Sequence, residues 1–406
     1  MPTFTFTARG RDGKKQKGTL TAETRQALNT MLQSRGLSAI SIQEGAAPAM
    51  GGVGKKRLGR KVKTTELLVF TRQLSTIVSA GLPLLQGLDI LGEQTDDPNF
   101  AAVIDSIGQD VESGESFSNS LTKYPRVFPD LYVSMVRAGE AGGDLDGVLL
   151  QLADYLEATE ELKRRIKSAM TYPVVAFSMI LLIAAGLVIW VVPQFAEIFS
   201  SFGRELPGPT RVLITTSEVL RSWKALVIAA VFIAVIIGAK FYSRTPMGRF
   251  NFDVLKLRLP VFGGLLRKVA ISRFARTLST LTRSGVPILQ ALEIVERTAG
   301  NEVFARAVKQ AGESVRSGET LAEPLERCQQ FPRMVTRMIA VGEKTGALEG
   351  MLMKIAEFYD SEVKAAVDSM TSLIEPILIM MMGLVVGSIV IALFMPILQL
   401  SSLVQA

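Results

Sequence analysis

The sequence predicts a mainly α fold: a polytopic membrane protein with three transmembrane helices, two homologous cytoplasmic helical bundles and a small N-terminal α+β module. Three observations predict it: a long internal duplication, an apolar run at the end of each copy, and an uneven distribution of basic residues around those runs. Phe70-Thr71-Arg72-Gln73-Leu74-Ser75-Thr76, leading to Ala80-Gly81-Leu82-Pro83-Leu84-Leu85-Gln86, returns as Phe274-Ala275-Arg276-Thr277-Leu278-Ser279-Thr280, leading to Ser284-Gly285-Val286-Pro287-Ile288-Leu289-Gln290. The separation is 204 residues, that between Phe70 and Phe274. It holds from Ser113-Gly114-Glu115 to Ser317-Gly318-Glu319 and becomes 203 between Phe128-Pro129 and Phe331-Pro332. Gly139-Glu140 then aligns with Gly342-Glu343, Pro173 with Pro376 and Pro193 with Pro396. A period this long describes two copies of one folding unit, not a short-period solenoid.

Residues 1–44 read as a separate small module. Phe4 and Phe6 alternate with threonine, Asp12-Gly13 is a hairpin signal, and Thr19–Thr21 supplies a return strand. Helical spacing over 22–35, closed by Gly36, precedes a further strand over 37–42. Residues 45–63 read as a flexible basic linker, in which six of the nine residues Lys55–Lys63 are Lys or Arg. That run is either a solvated tether or a contact for an anionic leaflet or acidic partner.

Residues 64–168 and 268–371 each read as a helical bundle of about 100 residues, enough for its own core. Thr64 is placed to cap the first helix, whose apolar face is Leu67, Leu68, Phe70, Leu74, Ile77 and Val78. Ala80-Gly81-Leu82-Pro83 stops that helix with glycine and starts the next with proline in its first turn. The duplicated Ser-Gly-Glu, Phe-Pro and Gly-Glu segments mark three further helix-to-helix turns in each copy.

Val174–Val192 is uninterrupted and apolar, the length a bilayer core demands, and defines a span over 172–193. Ala225–Ala239 is shorter, about 22 Å at the helical rise. Lys224 and Lys240 flank it with Trp223, Phe241 and Tyr242, giving a span over 223–242. Ile377–Leu398 anchors the third span, 375–398. Lys163, Arg164, Arg165 and Lys167 precede the first span; Lys240, Arg244, Arg249, Lys256, Arg258, Arg267 and Lys268 follow the second. Segment 194–222 carries only Arg204, Arg211 and Arg221, offset by Glu197, Glu205 and Glu218. The positive-inside rule therefore places both bundles and the N-terminus in the cytoplasm, with the 194–222 loop and the C-terminus in the periplasm. The apolar runs Val174–Val192, Ala225–Ala239 and Ile377–Leu398 contain no ionisable residue, which disfavours a transporter. A receptor would need a larger outer domain than segment 194–222 offers. Gly383 and Gly387 form a GxxxG in the third span that allows close helix packing, unless they reflect only the general frequency of glycine in membrane helices.

The composition agrees: hydrophobic residues are 48% and mean hydropathy is +0.30, yet 20% of residues are charged. The lone Cys328 excludes an internal disulfide framework, and the lack of histidine removes the commonest general base and metal ligand. Residues 1–18 contain no apolar h-region of a signal peptide. Neither Gly51–Lys56 nor Gly342-Glu343-Lys344-Thr345 has P-loop spacing, and Asp144-Leu145-Asp146-Gly147 lacks the ligand spacing of an EF-hand. The reading is of no catalytic, cofactor-binding or metal-binding residue, and so of a non-enzyme. Glu140 and Glu343, the repeated acids of one tight turn, are expected to accept backbone N–H bonds from the following helix start, the alternative being a metal or partner role. Arg72 and Arg276 are expected to neutralise a nearby carboxylate or to meet a partner.

These motifs, in this order, resemble the type II secretion F / type IV pilus platform family. The likeness lies in Phe70–Gln86, Ser113–Phe117, Phe128-Pro129, Ala138–Leu145, Tyr172-Pro173, Val192-Pro193-Gln194-Phe195 and the Phe202–Thr210 run, and it covers essentially the whole chain. The resemblance implies an inner-membrane platform for type IV pilus assembly, or alternatively the F protein of a type II secretion system; Phe202–Thr210 leans toward the pilus platform. The partners it implies are a hexameric pilus assembly ATPase, a retraction ATPase, pilins, other inner-membrane assembly proteins, membrane lipid and a second copy of the chain, with no nucleic acid. The second copy departs from the first where Gln73 becomes Thr277, Tyr124 becomes Cys328 and Tyr172 becomes Glu375, so the two halves are expected to bind different surfaces.

Overall fold

The computed structural model describes residues 3–9, 15–21, 38–44, 62–200, 208–260 and 262–404. Strands β1 (Thr3–Arg9), β2 (Lys15–Thr21) and β3 (Ser38–Glu44) form an antiparallel sheet in the order β2-β1-β3, with Phe4 opposite Leu20 on one side and Glu44 on the other. The helix expected over 22–35 lies outside the described residues, as does the linker up to residue 61.

The first copy is built from α1 (Thr64–Ser79), α2 (Leu84–Gln94), α3 (Pro98–Glu112), α4 (Phe117–Thr122), α5 (Asp130–Gly142) and α6 (Leu145–Gly186). A π turn over Leu187–Val191 leads to α7 (Val192–Ser200), then α8 (Gly208–Arg221), α9 (Trp223–Tyr242) and α10 (Pro246–Arg258). The second copy repeats the six helices as α11 (Phe262–Arg283), α12 (Ile288–Thr298), α13 (Glu302–Arg316), α14 (Ala322–Arg327), α15 (Arg333–Thr345) and α16 (Leu348–Val404). Leu145–Phe195, Trp223–Tyr242 and Leu348–Met395 are long and apolar enough to cross a membrane.

The duplicated glycines set the turns. At Gly114 and Gly318 φ is +93°, a left-handed conformation that L side chains rarely adopt. The following N–H of Glu115 reaches back to the carbonyl of Asp110 and that of Glu319 to Ser314, closing Schellman turns that satisfy the last carbonyls of α3 and α13. Thr64 is not a cap: the helix begins at Thr64 itself, Lys63 holds the extended cap position, and no side chain bonds there. Pro83 likewise stands at the N-cap of α2, one position before the first turn.

The three phenylalanines of the aromatic core are duplicated. In the first copy Phe70, Phe100 and Phe128 surround one another at centroid distances of 5.4, 6.2 and 6.4 Å. Phe274, Phe304 and Phe331 are their equivalents, with Phe331 at 4.8 Å from Phe274 and 5.4 Å from Phe304. Tyr132 extends the first cluster, 5.1 Å from Phe128, and its hydroxyl accepts from the Thr71 hydroxyl at 3.2 Å. Burial pushes the Tyr132 hydroxyl pKa up, so the buried pair stays neutral. The second copy replaces the pair with Ala275 and Val335. The buried apolar side chains of both bundles form one continuous cluster.

Pro173 and Pro376 do not separate bundle from span. Both lie inside their helices, α6 and α16, which run unbroken from the bundle into the apolar segment. An interior proline costs about 3 kcal/mol, which the many turns on either side outweigh. The π turn falls directly before Pro193, where the ladder adjusts to a residue that cannot donate. Segment 194–222, expected as a loop, contains α8, which packs on the spans: the Thr210 hydroxyl donates to the Ala392 carbonyl of α16 at 2.5 Å, and Leu213 and Ile214 join a cluster of Val192, Ile389 and Leu393.

Candidate functional site

The two singled-out arginines occupy equivalent places and grip equivalent acids. Arg72 on α1 donates to Asp154 at 2.8 Å and also to Glu157, both on α6. The hydrogen bonds it donates to Asp154, and then to Glu157, hold the guanidinium pKa above its usual value. Arg276 on α11 donates to Asp360 on α16, which also accepts from the Ser272 hydroxyl. At the 203-residue separation Glu157 corresponds to Asp360 and Asp154 to Glu357, so each copy ties its first helix to its long last helix through one conserved chemistry. The environments differ: the Arg72 side chain is 36% exposed and that of Arg276 only 17%. The exposed pair contributes at most about 1 kcal/mol.

Glu140 and Glu343 bond to a different helix from the one expected. Glu140 on α5 accepts from the N–H groups of Phe117 and Ser118 at 2.6 and 3.0 Å, at the start of α4. Glu343 on α15 accepts from Leu321 and Ala322 at 2.6 and 3.1 Å, at the start of α14. The following helix start in the first copy is served instead by Asp144, whose carboxylate accepts from the Gly147 N–H at 3.3 Å. A helix start leaves N–H groups without partners inside the helix, and a carboxylate satisfies two at once while opposing the positive end of the dipole. Glu140→Ala is expected to lose about 1.5–3 kcal/mol and Glu140→Gln less, read as the fall in melting temperature of the full chain in detergent. Equal melting of Glu140→Ala and the unaltered chain would show that the bond does not stabilise the bundle.

The copies part company where they touch. Gln73 lies exposed on α1, while its counterpart Thr277 is buried and within 3.3 Å of the Tyr155 hydroxyl of α6. Ser284 of the second copy donates to Gln151 of the first at 2.9 Å, and Arg297 to Asp130 at 2.8 Å. The face of α11 that carries Thr277 is therefore occupied by the first copy's long helix, whereas at the equivalent position of α1 Gln73 is exposed. Tyr124 and Cys328 keep one local role despite the change of chemistry: the tyrosine hydroxyl bonds Ser106 at 2.7 Å and the thiol bonds Gln310 at 3.4 Å. Burial raises the Cys328 pKa, which lowers its thiolate fraction.

Among the described residues Gly383 and Gly387 meet no neighbouring helix; a Cβ built at either finds open space. The third span packs within the chain through Val385, Ile389 and Leu393 instead. Sequence reading missed Asp154, Glu157, Ser272, Asp360 and Tyr155. The acid-for-acid match of Glu157 with Asp360 at the repeat separation was the available signal for two of them.

The family model described as type II secretion system (T2SS), protein F matches residues 70–193 and again 274–396, and that of its N-terminal domain matches residues 1–43. The chain is 41% identical over 409 residues to the type IV pilus assembly protein PilC of Myxococcus xanthus, covering 99% of this chain and 96% of the relative. It is 42% identical over 401 residues to the PilC of Thermus thermophilus, covering 98% of each. It is 35% identical over 405 residues to the type II secretion system protein F of Pseudomonas aeruginosa, covering 100% of each.

Proposed function

As the chain belongs to the type II secretion system protein F family in its type IV pilus PilC-like branch of relatives, we propose that it is a non-enzymatic inner-membrane platform of type IV pilus assembly. A cytoplasmic assembly ATPase supplies the motion, the bundles receive it, and the spans deliver it to pilins entering or leaving the membrane at the pilus base. The observation that carries this reading is the unbroken course of α6 and α16 from bundle core to apolar span. A helix held in a bundle at one end and in lipid at the other transmits a displacement, whereas a flexible joint would absorb it. The basic flanks support bundles in the cytoplasm, a periplasmic α8 and a periplasmic C-terminus. The face of α1 around Arg72 and the exposed Gln73 is the favoured docking surface for a partner, because the matching position of α11 is covered.

The pilus role is favoured over secretion by the 41% and 42% identity to pilus assembly proteins against 35% to a secretion protein. Deleting the gene and scoring surface pili against exoprotein release tests it: loss of pili with exoprotein release intact is expected. Lost exoprotein release with intact pili would assign the chain to secretion. Hydrolysis of ATP by the purified chain, abolished by a point substitution in it, would overturn the non-enzymatic assignment.

A further inference from the structure

The second span does not hand the chain straight to the second bundle. After α9 ends at Tyr242, residues 243–245 turn and fold α10 back against the span's own last residue. The Phe252 ring lies 6.1 Å from that of Tyr242, and the Asn251 amide donates to the Tyr242 hydroxyl at 3.0 Å. The turn is tight, since a Cβ at Gly248 would collide with the Tyr242 carbonyl. Another face of α10 is fixed to the second bundle. The buried Asp253 accepts from the Glu302 N–H at the start of α13 at 2.8 Å, the Arg306 guanidinium stands 4.0 Å from the Phe250 ring, and Leu257 packs on the shared core. Leu255 and Leu259 continue the stripe that begins at Asn251 and Phe252, one and two turns on, because residues three or four apart share a helix face. They are 56% and 45% exposed, so beyond Tyr242 the stripe is uncovered among the described residues. Arg258 stands on one edge of it and Arg249 on the other. Neither makes an ion pair among the described residues, nor does Arg244 in the turn. Asp253 is the one acid in residues 243–259, and it is held by Lys256 and the Glu302 N–H.

We propose that α10 is an interfacial helix, whose Leu255 and Leu259 lie in the headgroup layer of an anionic leaflet with Arg244, Arg249 and Arg258 among the lipid phosphates. Continuity with the span sets the occupant. The face of α10 that meets Tyr242, the aromatic residue closing α9, points at the bilayer that α9 crosses. An apolar stripe edged by unpaired cations fits an anionic lipid surface, which takes the leucines at the acyl boundary and the arginines at its negative charge. Through Asp253 and Leu257 the same helix then holds the second bundle at a fixed height over the membrane. This goes beyond the platform role and needs only that α9 crosses the membrane.

The test uses the full chain carrying Cys328→Ser, with one cysteine introduced at a time and labelled with a fluorophore, in vesicles of phosphatidylglycerol that contain a nitroxide-bearing lipid. A label at Leu255→Cys should be quenched several-fold more strongly than one at Val341→Cys. Val341 is also exposed but lies near the start of α16, which runs about 40 Å before it reaches Ile377. Ile233→Cys, in mid-span, reports whether α9 crosses the bilayer. Strong quenching there with none at residue 255 would overturn the inference and leave the span standing; quenching at neither would overturn the span as well. Quenching at 255 should fall when phosphatidylcholine replaces phosphatidylglycerol, and fall likewise in Arg249→Gln/Arg258→Gln. No fall in either would overturn the assignment to an anionic leaflet. A label at 255 shielded from aqueous iodide yet untouched by the nitroxide lipid would mean that protein covers the stripe, which also overturns it.

Discussion

Phe331→Ala is expected to destabilise the folded chain by about 3–5 kcal/mol, the range for a buried aromatic cut to alanine. Phe331 is 5% exposed and is the ring on which the second bundle's aromatic cluster converges, touching both Phe274 on α11 and Phe304 on α13. Its removal deletes two ring contacts and leaves a void whose walls are helices fixed at both ends, so the site collapses poorly. Because the buried cluster runs continuously through both copies, the loss should lower one shared transition, by roughly 10 °C in a detergent melt. Phe128→Ala, the equivalent in the first copy, should shift the same transition. Met334→Ala, at an exposed position of the neighbouring helix, should move it by little. Two separated transitions, with Phe331→Ala affecting only one, would show that the copies fold as independent units and that the common core does not couple them.

Much of this architecture was legible because the sequence states it twice. Phenylalanine at 70, 100 and 128 returns at 274, 304 and 331, so periodicity within a copy and identity between copies point to the same buried positions. The spans were legible from length and apolarity alone, and the glycines at 81, 114 and 143, repeated at 285, 318 and 346, located three of the turns in each copy. What stayed hidden depends on long-range contact. Glu140 finds the N–H of Phe117 across 23 residues, and local reading had assigned it to the helix that follows. Thr277 is buried because α6 of the other copy lies on it, a fact with no trace in the local pattern around residue 277. At Pro173 the packing on both sides overrides the local preference of proline to end a helix, so α6 continues through it. The duplication also makes the departures informative, since Gln73 against Thr277 separates an exposed position from a covered one on otherwise matching helices.

The second large effect concerns force and not stability. A Gly-Ser-Gly-Ser insertion after Ser372 in α16 is expected to abolish piliation while leaving the chain inserted, abundant and folded. Ser372 lies between Val367 and Met370, buried with Val363 and Leu265 in the small cluster beneath the bundles, and the apolar run that begins at Ile377. Four added residues, two of them glycine at about 1 kcal/mol each, interrupt the hydrogen-bond ladder at that point. They do not touch the shared core above, so the detergent melt should stay within a few degrees. A flexible joint turns a displaced bundle into a slack chain, and the third span then receives neither rotation nor thrust. The same tetrapeptide inserted at the Thr95–Asp97 surface turn, away from the long helices, should leave surface pili near the normal level. Counting pili in the two strains separates the mechanisms: pili preserved with the Ser372 insertion would mean that the unbroken helix is an anchor only and that motion reaches the pilin by another route.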